Sequence, residues 1–278
     1  MSVHRYIPAY ISDHGVYFMR LRCAFMLIAL MSVCLNSNSA QSAELPNVAA
    51  ASDLQFALPE VANEFTRQTG KTVKLSFGSS GNYRRQIAEG APFDLFLSAD
   101  EAYVYALAKE GKTVDDGALY AIGRLVLFAP KSSLLKTDNE LKDLAAAIQD
   151  GRLKKFSIAN PEHAPYGRAA QQALTRAGLW EKIRPHLVLG ENISQAAQFA
   201  TSGSTQGGIF AYAQAISPAI SSRGEFVLIP ADWHQPLRQR MVLTKNAGKT
   251  AQHFYLYLQT PAAREIFKRY GFRLPGED

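Results

Sequence analysis

The sequence of 278 residues predicts an α/β fold with mostly parallel sheets. Short apolar runs that are typical of buried strands alternate along the chain with segments whose apolar residues recur at helical spacing. This alternation favours parallel sheets flanked by helices. In addition, hydroxyl residues follow two successive predicted strands, and open sheets of this kind bind ligands beyond the carboxyl ends of their strands. The strand-to-helix junctions are therefore the first place to look for a function.

The first 43 residues have the pattern of a secretory leader. Arg20 and Arg22 precede an apolar run at 24–35, and small or polar residues follow through Ala43. The run is shorter than the about 20 residues that a membrane-spanning helix needs. The pattern therefore predicts cleavage near Ala43 and export of the remaining chain, and Met19 makes a more orthodox start of such a leader than Met1 does.

Both cysteines of the chain, Cys23 and Cys34, lie in this leader. The exported part is therefore predicted to contain no disulfide and no thiolate metal site. A lipid anchor at Cys34 is disfavoured because the preceding residues 31–33, Met-Ser-Val, make a poor lipobox. The formal net charge of the whole chain is +6, and no block of like charges indicates a nucleic-acid partner.

The first strand and helix are predicted between residues 47 and 70. Val48–Ala51 is small and apolar like a short buried strand, and Ser52 then opens a segment with helical spacing of its apolar residues. Ser52 and Gln55 fit a capping box at the start of this helix. Pro59 removes one backbone N–H inside the predicted helix, so we expect a kink or a restart there.

The second strand and helix repeat this arrangement. Residues 73–77 alternate between apolar and polar, as a half-buried strand does, and Gly78-Ser79-Ser80-Gly81 leads into a helix at 83–89. Taken singly, Ser52 and Ser80 fit ordinary helix caps. Taken together, the two junctions direct hydroxyls and unpaired backbone N–H groups toward one point, which suits an oxyanion.

The rest of the chain continues the alternation. Further strands are predicted at 94–98, 124–130, 156–159, 187–189, 207–210, 226–230 and 237–243. Further helices are predicted at 101–110, 141–149, 168–177, from 193, and at 211–216, 252–258 and 261–270. The loops at 165–167 and 191–193 precede helices and could aim backbone N–H groups at a ligand from a second lobe.

Other site chemistries find less support in the sequence. Four histidines lie beyond the leader and match no zinc-ligand spacing: His163, His186, His234 and His253. His163 is expected to bond within its own loop, which prolines bracket. Asp53 and Asp100 fit helix-start residues near the favourable end of a helix dipole.

Five segments of the chain together resemble one protein family. They are AAAS at 49–52, FGSSG at 77–81, QIAEGAPFDLFLSAD at 86–100, PEHAPYG at 161–167 and EIFKRYGF at 265–272. In these segments the chain resembles the periplasmic molybdate-binding proteins of ABC transporters, over nearly all of its exported part. The resemblance implies a type II periplasmic binding protein with two α/β lobes. Residues 44–123 and 237–278 would form one lobe, and residues 124–236 the other.

The resemblance also implies a set of ligand residues. The first lobe would supply the hydroxyl and backbone N–H groups of Ser52 and Ser80, and the second lobe the backbone N–H groups of Tyr166 and Ile193. Some members of the family add a tyrosine hydroxyl. Here Ala211 occupies that position and Tyr212 follows it, so the role of Tyr212 stays open.

The implied function is a periplasmic carrier of molybdate, and also of tungstate, that serves the membrane permease of an ABC importer. We expect a monomer without cofactor or catalysis, whose uncharged donors compensate the dianion. A lysine or a carboxylate between the hydroxyls of Ser52 and Ser80 would contradict this expectation. Two alternatives stay open: the same fold carrying sulfate or another tetrahedral oxyanion, and a secreted serine hydrolase using Ser80, for which no general base is marked.

Overall fold

A computed structural model describes residues 1–2 and 45–276 of the chain. The predictions for the leader, including cleavage near Ala43 and the lipid anchor at Cys34, lie outside the described residues. The chain from Glu44 onward forms one compact unit, which is described by itself below. Within the described residues, no helix is long and apolar enough to cross a membrane.

The described chain alternates strands and helices, as predicted. The strands are β1 (Asn47–Ala51), β2 (Lys74–Gly78), β3 (Leu95–Ser98), β4 (Ala118–Gly123), β5 (Leu125–Pro130), β6 (Phe156–Ala159), β7 (Leu187–Gly190), β8 (Gly208–Ala211), β9 (Gly224–Leu228) and β10 (Leu237–Leu243). The helices are α1 (Ala57–Thr69), α2 (Ser80–Ala88), α3 (Glu101–Lys109), α4 (Lys142–Gln149), α5 (Pro165–Arg176), α6 (Trp180–Ile183), α7 (Ile193–Thr201), α8 (Tyr212–Ala215), α9 (Pro218–Ser221), α10 (Lys249–Tyr257) and α11 (Pro261–Arg269).

These strands form two five-stranded sheets with the same pattern. The orders are β2-β1-β3-β10-β4 in the first sheet and β7-β6-β8-β5-β9 in the second. The chain passes from the first sheet to the second between β4 and β5, and it returns between β9 and β10. The division into lobes with boundaries after residues 123 and 236 stays a prediction.

Each sheet is mixed rather than mostly parallel. In the first, β1 pairs in parallel with β2 and β3, whereas β10 pairs antiparallel with β3 and β4. In the second, β5 pairs antiparallel with β8 and β9. A strand that enters a sheet from the side where its neighbours end must run opposite to them, and β5 and β10 are the two strands that enter in this way.

The apolar side chains predicted to be buried form the core around the first sheet. Phe65 on α1 is fully buried, with its ring centroid 5.0 Å from that of Phe254 and 5.4 Å from that of Tyr257. Leu54, Leu58 and Val61 are also fully buried. The helical spacing seen in the sequence thus corresponds to the face that packs on the sheet.

The first predicted helix starts later than expected. Residues Ser52–Leu54 form a 3-10 turn, and the α-helix begins at Ala57, so Pro59 lies in its first turn. A restart was expected at this proline, because its missing N–H is tolerated only near a helix start. The capping box is wrong, since the Ser52 side chain makes no cap hydrogen bond. The short strand β4, which follows Gly117 and ends at Gly123, was not predicted from the sequence.

Replacing Phe65 by alanine tests the core. We expect Phe65→Ala to lower the free energy of unfolding by about 3 to 5 kcal/mol, because the substitution leaves a cavity beside the rings of Phe254 and Tyr257. Urea denaturation followed by circular dichroism measures this. Leu256→Ala is the matched control, since Leu256 is 61% exposed on α10 and its loss should cost about 0.5 kcal/mol or less. Equal effects of the two substitutions would contradict the packing described here.

Candidate functional site

A small cavity lies where the carboxyl ends of strands from both sheets meet. We call it the cleft cavity, and its lining residues are Ala51, Ser52, Asp53, Gly78, Ser79, Ser80, Ala99, Ala164, Pro165, Tyr166 and Ile193. Its volume is ≈ 10 Å³. A space of this size suits a small inorganic guest rather than an organic molecule.

Three parallel strands of the first sheet deliver residues to this cavity. β1 ends at Ala51 and is followed directly by the 3-10 turn that begins with Ser52. β2 ends at Gly78, and α2 begins with Ser80. Beyond β3, the N–H of Ala99 donates to the Ser80 hydroxyl at 3.0 Å. Ser80 is therefore the first residue of its helix rather than its cap, and its hydroxyl orientation is fixed from the neighbouring strand.

Two helices of the second sheet point their amino ends at the same cavity. α5 begins at Pro165, which is favoured in a first turn, and Tyr166 follows it. α7 begins at Ile193 and is capped by Asn192, whose side chain accepts from the N–H of Gln195. The first N–H groups of a helix have no partner within that helix. Turns and helix starts from both sheets therefore converge on the cleft cavity. Each helix start presents the positive end of its helix dipole to the cavity.

The Ser52 region is tied to the second sheet by several hydrogen bonds. The Ser52 hydroxyl donates to Asn192 Oδ1 at 3.2 Å and accepts from the N–H of Ser194 at 3.3 Å. The Ser52 carbonyl accepts from the Ser194 hydroxyl at 2.9 Å and from Gln214 Nε2 at 3.0 Å. Ser52 thus faces the other sheet, which explains why its side chain does not cap its own turn.

His163 also reaches across the cleft, contrary to the expectation that it bonds within its own loop. Its Nδ1 lies 3.0 Å from the Ser79 hydroxyl, and its carbonyl accepts from that hydroxyl and from the N–H of Gly81. A Cβ at position 81 would lie 2.4 Å from this carbonyl oxygen. Gly81 is therefore required for the close approach of the two sheets, because any larger residue would place a Cβ against this carbonyl.

An ion pair links the two sheets next to the cleft cavity. Arg168 on α5 pairs with the carboxylate of Asp100 and donates to the hydroxyl of Tyr103 at 2.7 Å. Asp100 also caps α3, because its Oδ1 accepts from the N–H of Ala102. The expected helix-start role of Asp100 is confirmed, and the same carboxylate has a second role between the sheets.

Asp53 lies in the first turn of the 3-10 helix, as expected, but its carboxyl group also faces the cleft. It is 1% exposed and lines the cleft cavity, and its Oδ2 accepts from Tyr166 Oη at 2.9 Å and from Gln239 Nε2 at 2.6 Å. Tyr120 in turn donates to Gln239 Oε1 at 2.7 Å. Asp53 Oδ1 is buried and has no hydrogen-bond partner among the described residues. The lining therefore contains a carboxyl group as well as uncharged donors.

Burial dominates the ionisation of Asp53. Desolvation raises its pKa to about 6, against the hydrogen bonds from Gln239, from Tyr166 and from the backbone N–H groups of Asp53 and Leu54, which lower it. A low-polarity environment disfavours the charged form of a carboxyl group. The same burial raises the pKa of Tyr120 and Tyr166 well above their usual value, and the nearby Asp53 charge adds to this. Both tyrosines remain neutral donors.

The structure brings together four of the five predicted ligand residues. Ser52, Ser80, Tyr166 and Ile193 all line the cleft cavity and are almost fully buried. Tyr212, whose role the sequence left open, is not among the residues that line the cavity. Its N–H donates to the Arg124 carbonyl, and the Arg124 guanidinium lies 4.4 Å from its ring centroid. The ring is therefore held at the passage between the sheets.

Comparison with known proteins places the chain in a family. A family model described as bacterial extracellular solute-binding protein matches residues 46–273, most of the chain. The chain belongs to this family. The binding protein is 37% identical to the molybdate-binding protein ModA of Azotobacter vinelandii over 251 residues, which cover 89% of this chain and 97% of the relative.

Further relatives support the same placement. The binding protein is 36% identical to ModA of Rhodobacter capsulatus over 223 residues, covering 77% of this chain and 82% of the relative. The solved structure of the Azotobacter vinelandii periplasmic molybdate-binding protein matches with a TM-score of 0.76 and 35% identity, covering 83% of this chain and 99% of that one. The predicted two-lobed α/β fold of a periplasmic binding protein is confirmed.

Replacing Asp53 by asparagine tests its buried ionisation. The folded-state pKa of about 6 lies above the usual 3.8, so the native state retains its proton longer than the unfolded state. Stability from this group is full below about pH 4 and is lost as pH rises through about 6. Asp53→Asn should therefore gain about 3 kcal/mol over wild type between about pH 4 and pH 8, measured by urea denaturation.

An exposed carboxylate provides the control for this measurement. Asp116→Asn, at an exposed bend, should leave the pH profile of unfolding like that of wild type. If Asp53→Asn follows the same profile as Asp116→Asn, Asp53 is not the buried titrating group.

Proposed function

We propose that this binding protein captures molybdate outside the cytoplasm and presents it to the permease of an ABC importer. The observation that carries the proposal is the cleft cavity itself. Helix starts and hydroxyls from two sheets converge on it, and its lining contains no lysine or arginine and one carboxyl group, that of Asp53. Ser52, Ser80, Tyr166 and Ile193 would hold the anion through hydroxyl and backbone N–H groups.

The chemistry of the lining suits a doubly charged guest. A dianion that leaves water for a closed site loses its hydration, which is costly unless hydrogen bonds replace it. Backbone N–H groups at helix starts supply such bonds, and the aligned peptide dipoles add positive potential. Uncharged donors avoid a permanent ion pair, which favours release of the guest to the permease.

The relatives support molybdate over other guests. Proteins named as molybdate-binding are 33 to 37% identical to this chain over most of its length, in Azotobacter vinelandii, Rhodobacter capsulatus and Escherichia coli. Tungstate has the same tetrahedral shape and charge, so it belongs to the proposal as a second guest. Sulfate is smaller, and a competition titration separates it from molybdate.

The arrangement of the lobes supports a carrier that opens and closes. Residues 44–123 and 237–278 would form one lobe and residues 124–236 the other, joined by the two passages between the sheets. Guest binding would hold the lobes together, and the closed form would be the signal that the permease reads. We place the protein in the periplasm as a monomer without cofactor, exported by a cleaved leader.

The contacts of the two serines give no support to catalysis. The Ser80 hydroxyl accepts a hydrogen bond from the N–H of Ala99. The Ser79 hydroxyl lies 3.0 Å from His163 Nδ1, but it donates its proton to the His163 carbonyl instead. A nucleophilic serine instead donates its proton to a general base. A carrier without catalysis is therefore proposed over a serine hydrolase.

Alanine substitution of the two serines tests the site. We expect Ser52→Ala and Ser80→Ala each to weaken molybdate binding about 10-fold to 100-fold, because a hydrogen bond to a charged group contributes about 1.5 to 3 kcal/mol. Isothermal titration calorimetry measures the affinity, and circular dichroism checks that the fold is retained. Ser132→Ala, on an exposed loop, is the control and should bind like wild type. Unchanged affinity in both cavity variants would refute the site.

A further inference from the structure

We propose that Asp53 couples anion capture to the uptake of one proton, so that the loaded site contains a neutral carboxyl group at position 53. This inference rests on the proposed function, and it deepens it by naming how the site responds to pH. The proton comes from solvent and joins the Asp53 carboxylate, and no covalent bond to the anion is formed. The neutral carboxyl group then offers an O–H donor where the carboxylate offers a negative charge.

The two oxygens of the Asp53 carboxyl group have different surroundings. One oxygen, Oδ2, is satisfied by Tyr166 Oη and Gln239 Nε2. The other, Oδ1, is buried in the lining of the cleft cavity and makes no hydrogen bond of ordinary geometry among the described residues, although the nearby backbone N–H groups of Asp53 and Leu54 lower the pKa of the carboxyl group. A buried polar atom without a partner is rare in a folded protein and calls for a ligand or a functional reason. A proton on Oδ1 would turn this atom from an unpaired acceptor into a donor for the anion.

No positive side chain compensates Asp53. Among the described residues it makes no salt bridge. The helix α7, which packs against the 3-10 turn of Asp53, carries no ionisable side chain, and the one ionisable residue of α8 is Tyr212. In β2 the ionisable residue is Lys74, which is exposed at the far end of the strand from the cavity.

The remaining neighbours of Asp53 are neutral or engaged elsewhere. Tyr166 and Tyr120 face it as protonated phenols, since burial raises the pKa of both. On α5, Arg168 pairs with Asp100, and on β10, Arg238 and Arg240 pair with Glu101. His163 contacts the lining residue Ser79, so an experiment must also control for proton binding by the His163 side chain.

A carboxylate and a dianion cannot share this cavity without strong repulsion. Both charges would lie in one desolvated space, where water does not screen them. Two like charges that share a site raise the pKa of the titratable one. The pKa of Asp53 is already raised to about 6 by burial, so the arrival of a dianion favours the proton further. Above that pH, capture of each dianion therefore requires one proton.

If the Asp53 carboxyl group stays ionised when the site is loaded, it favours a different guest. An ionised Asp53 could accept a hydrogen bond from an oxyanion that carries its own proton, such as hydrogen phosphate. That arrangement would favour phosphate over molybdate and would take up no proton from solvent. The two readings therefore differ in guest preference and in the number of protons bound.

Calorimetry of the exported chain with sodium molybdate tests the proposal. Titrations in two buffers of different ionisation enthalpy, from about pH 6.5 to about pH 8.5, give the number of protons taken up. We expect close to one proton per molybdate at the upper end and an affinity that falls about tenfold per pH unit there. Asp53→Asn, which presents an amide N–H₂ donor in place of the protonated carboxyl group, should bind without proton uptake and with an affinity independent of pH.

Two further variants separate Asp53 from its neighbours. Tyr166→Phe removes a hydrogen bond that lowers the pKa of Asp53 but retains the backbone N–H, so the pH at which affinity begins to fall should rise. His163→Gln should retain the wild-type proton uptake. A His163→Gln variant without proton uptake would assign the proton to His163 and overturn the proposal.

The outcomes distinguish the inference from the proposed function. Tight binding of molybdate by wild type without proton uptake would overturn the inference and leave the proposed function in place. Retention of the wild-type pH dependence by Asp53→Asn would overturn it as well. A wild-type protein that fails to bind molybdate at every pH, or that binds phosphate in preference, would overturn the proposed function and the inference with it.

Discussion

The structure depends on one constraint: backbone N–H groups at the starts of helices have no partners within those helices. In most proteins, side-chain caps or water satisfy such groups. Here the parallel strands of two sheets end at the same place, so their following turns and helices start around a single small cavity. The donors that each helix leaves unsatisfied become the binding surface. Burial of this surface between the sheets makes an anion a far better partner for it than a neutral molecule.

The passages of the chain between the sheets shape the surroundings of this cavity. Because β10 enters the first sheet from the cleft side, its early residue Gln239 lies next to Asp53 and Tyr166. Gly123, at the end of β4, makes room for the same cluster, since a Cβ there would lie 2.2 Å from Tyr166 Oη. The polar cluster at the site is therefore built in part from the segments that connect the lobes. A rearrangement of these segments would also rearrange the polar cluster.

Much of the fold and of the site could be predicted from the sequence, because local patterns encode both. The spacing of Leu54, Leu58 and Val61 predicted a packed helix face, and the hydroxyls after β1 and β2 predicted a convergent site. The helix-start position of Asp53 was predicted, but its inward orientation was not, because a carboxyl group at a helix start looks the same in sequence whether it faces solvent or the interior. Gln239 gave a usable signal, since it lies between Leu237 and Met241 on the buried face of β10 while Arg238 and Arg240 point outward. The partners of Ser52 and His163 lie more than 80 residues away in sequence, and no local pattern reports such contacts.

The depth of the cavity has a consequence for how quickly the guest can leave. Ser52 and Ser80 are 2% and 1% exposed, so an ion held between their hydroxyls would be largely shielded from bulk solvent while the lobes stay together. The dwell time of the ion is then set by how often the contacts at the rim break, chiefly the pairing of Arg168 with Asp100 and the bond between Ser79 and His163. A transporter that competes for these few rim groups could accelerate unloading without touching the ion at all.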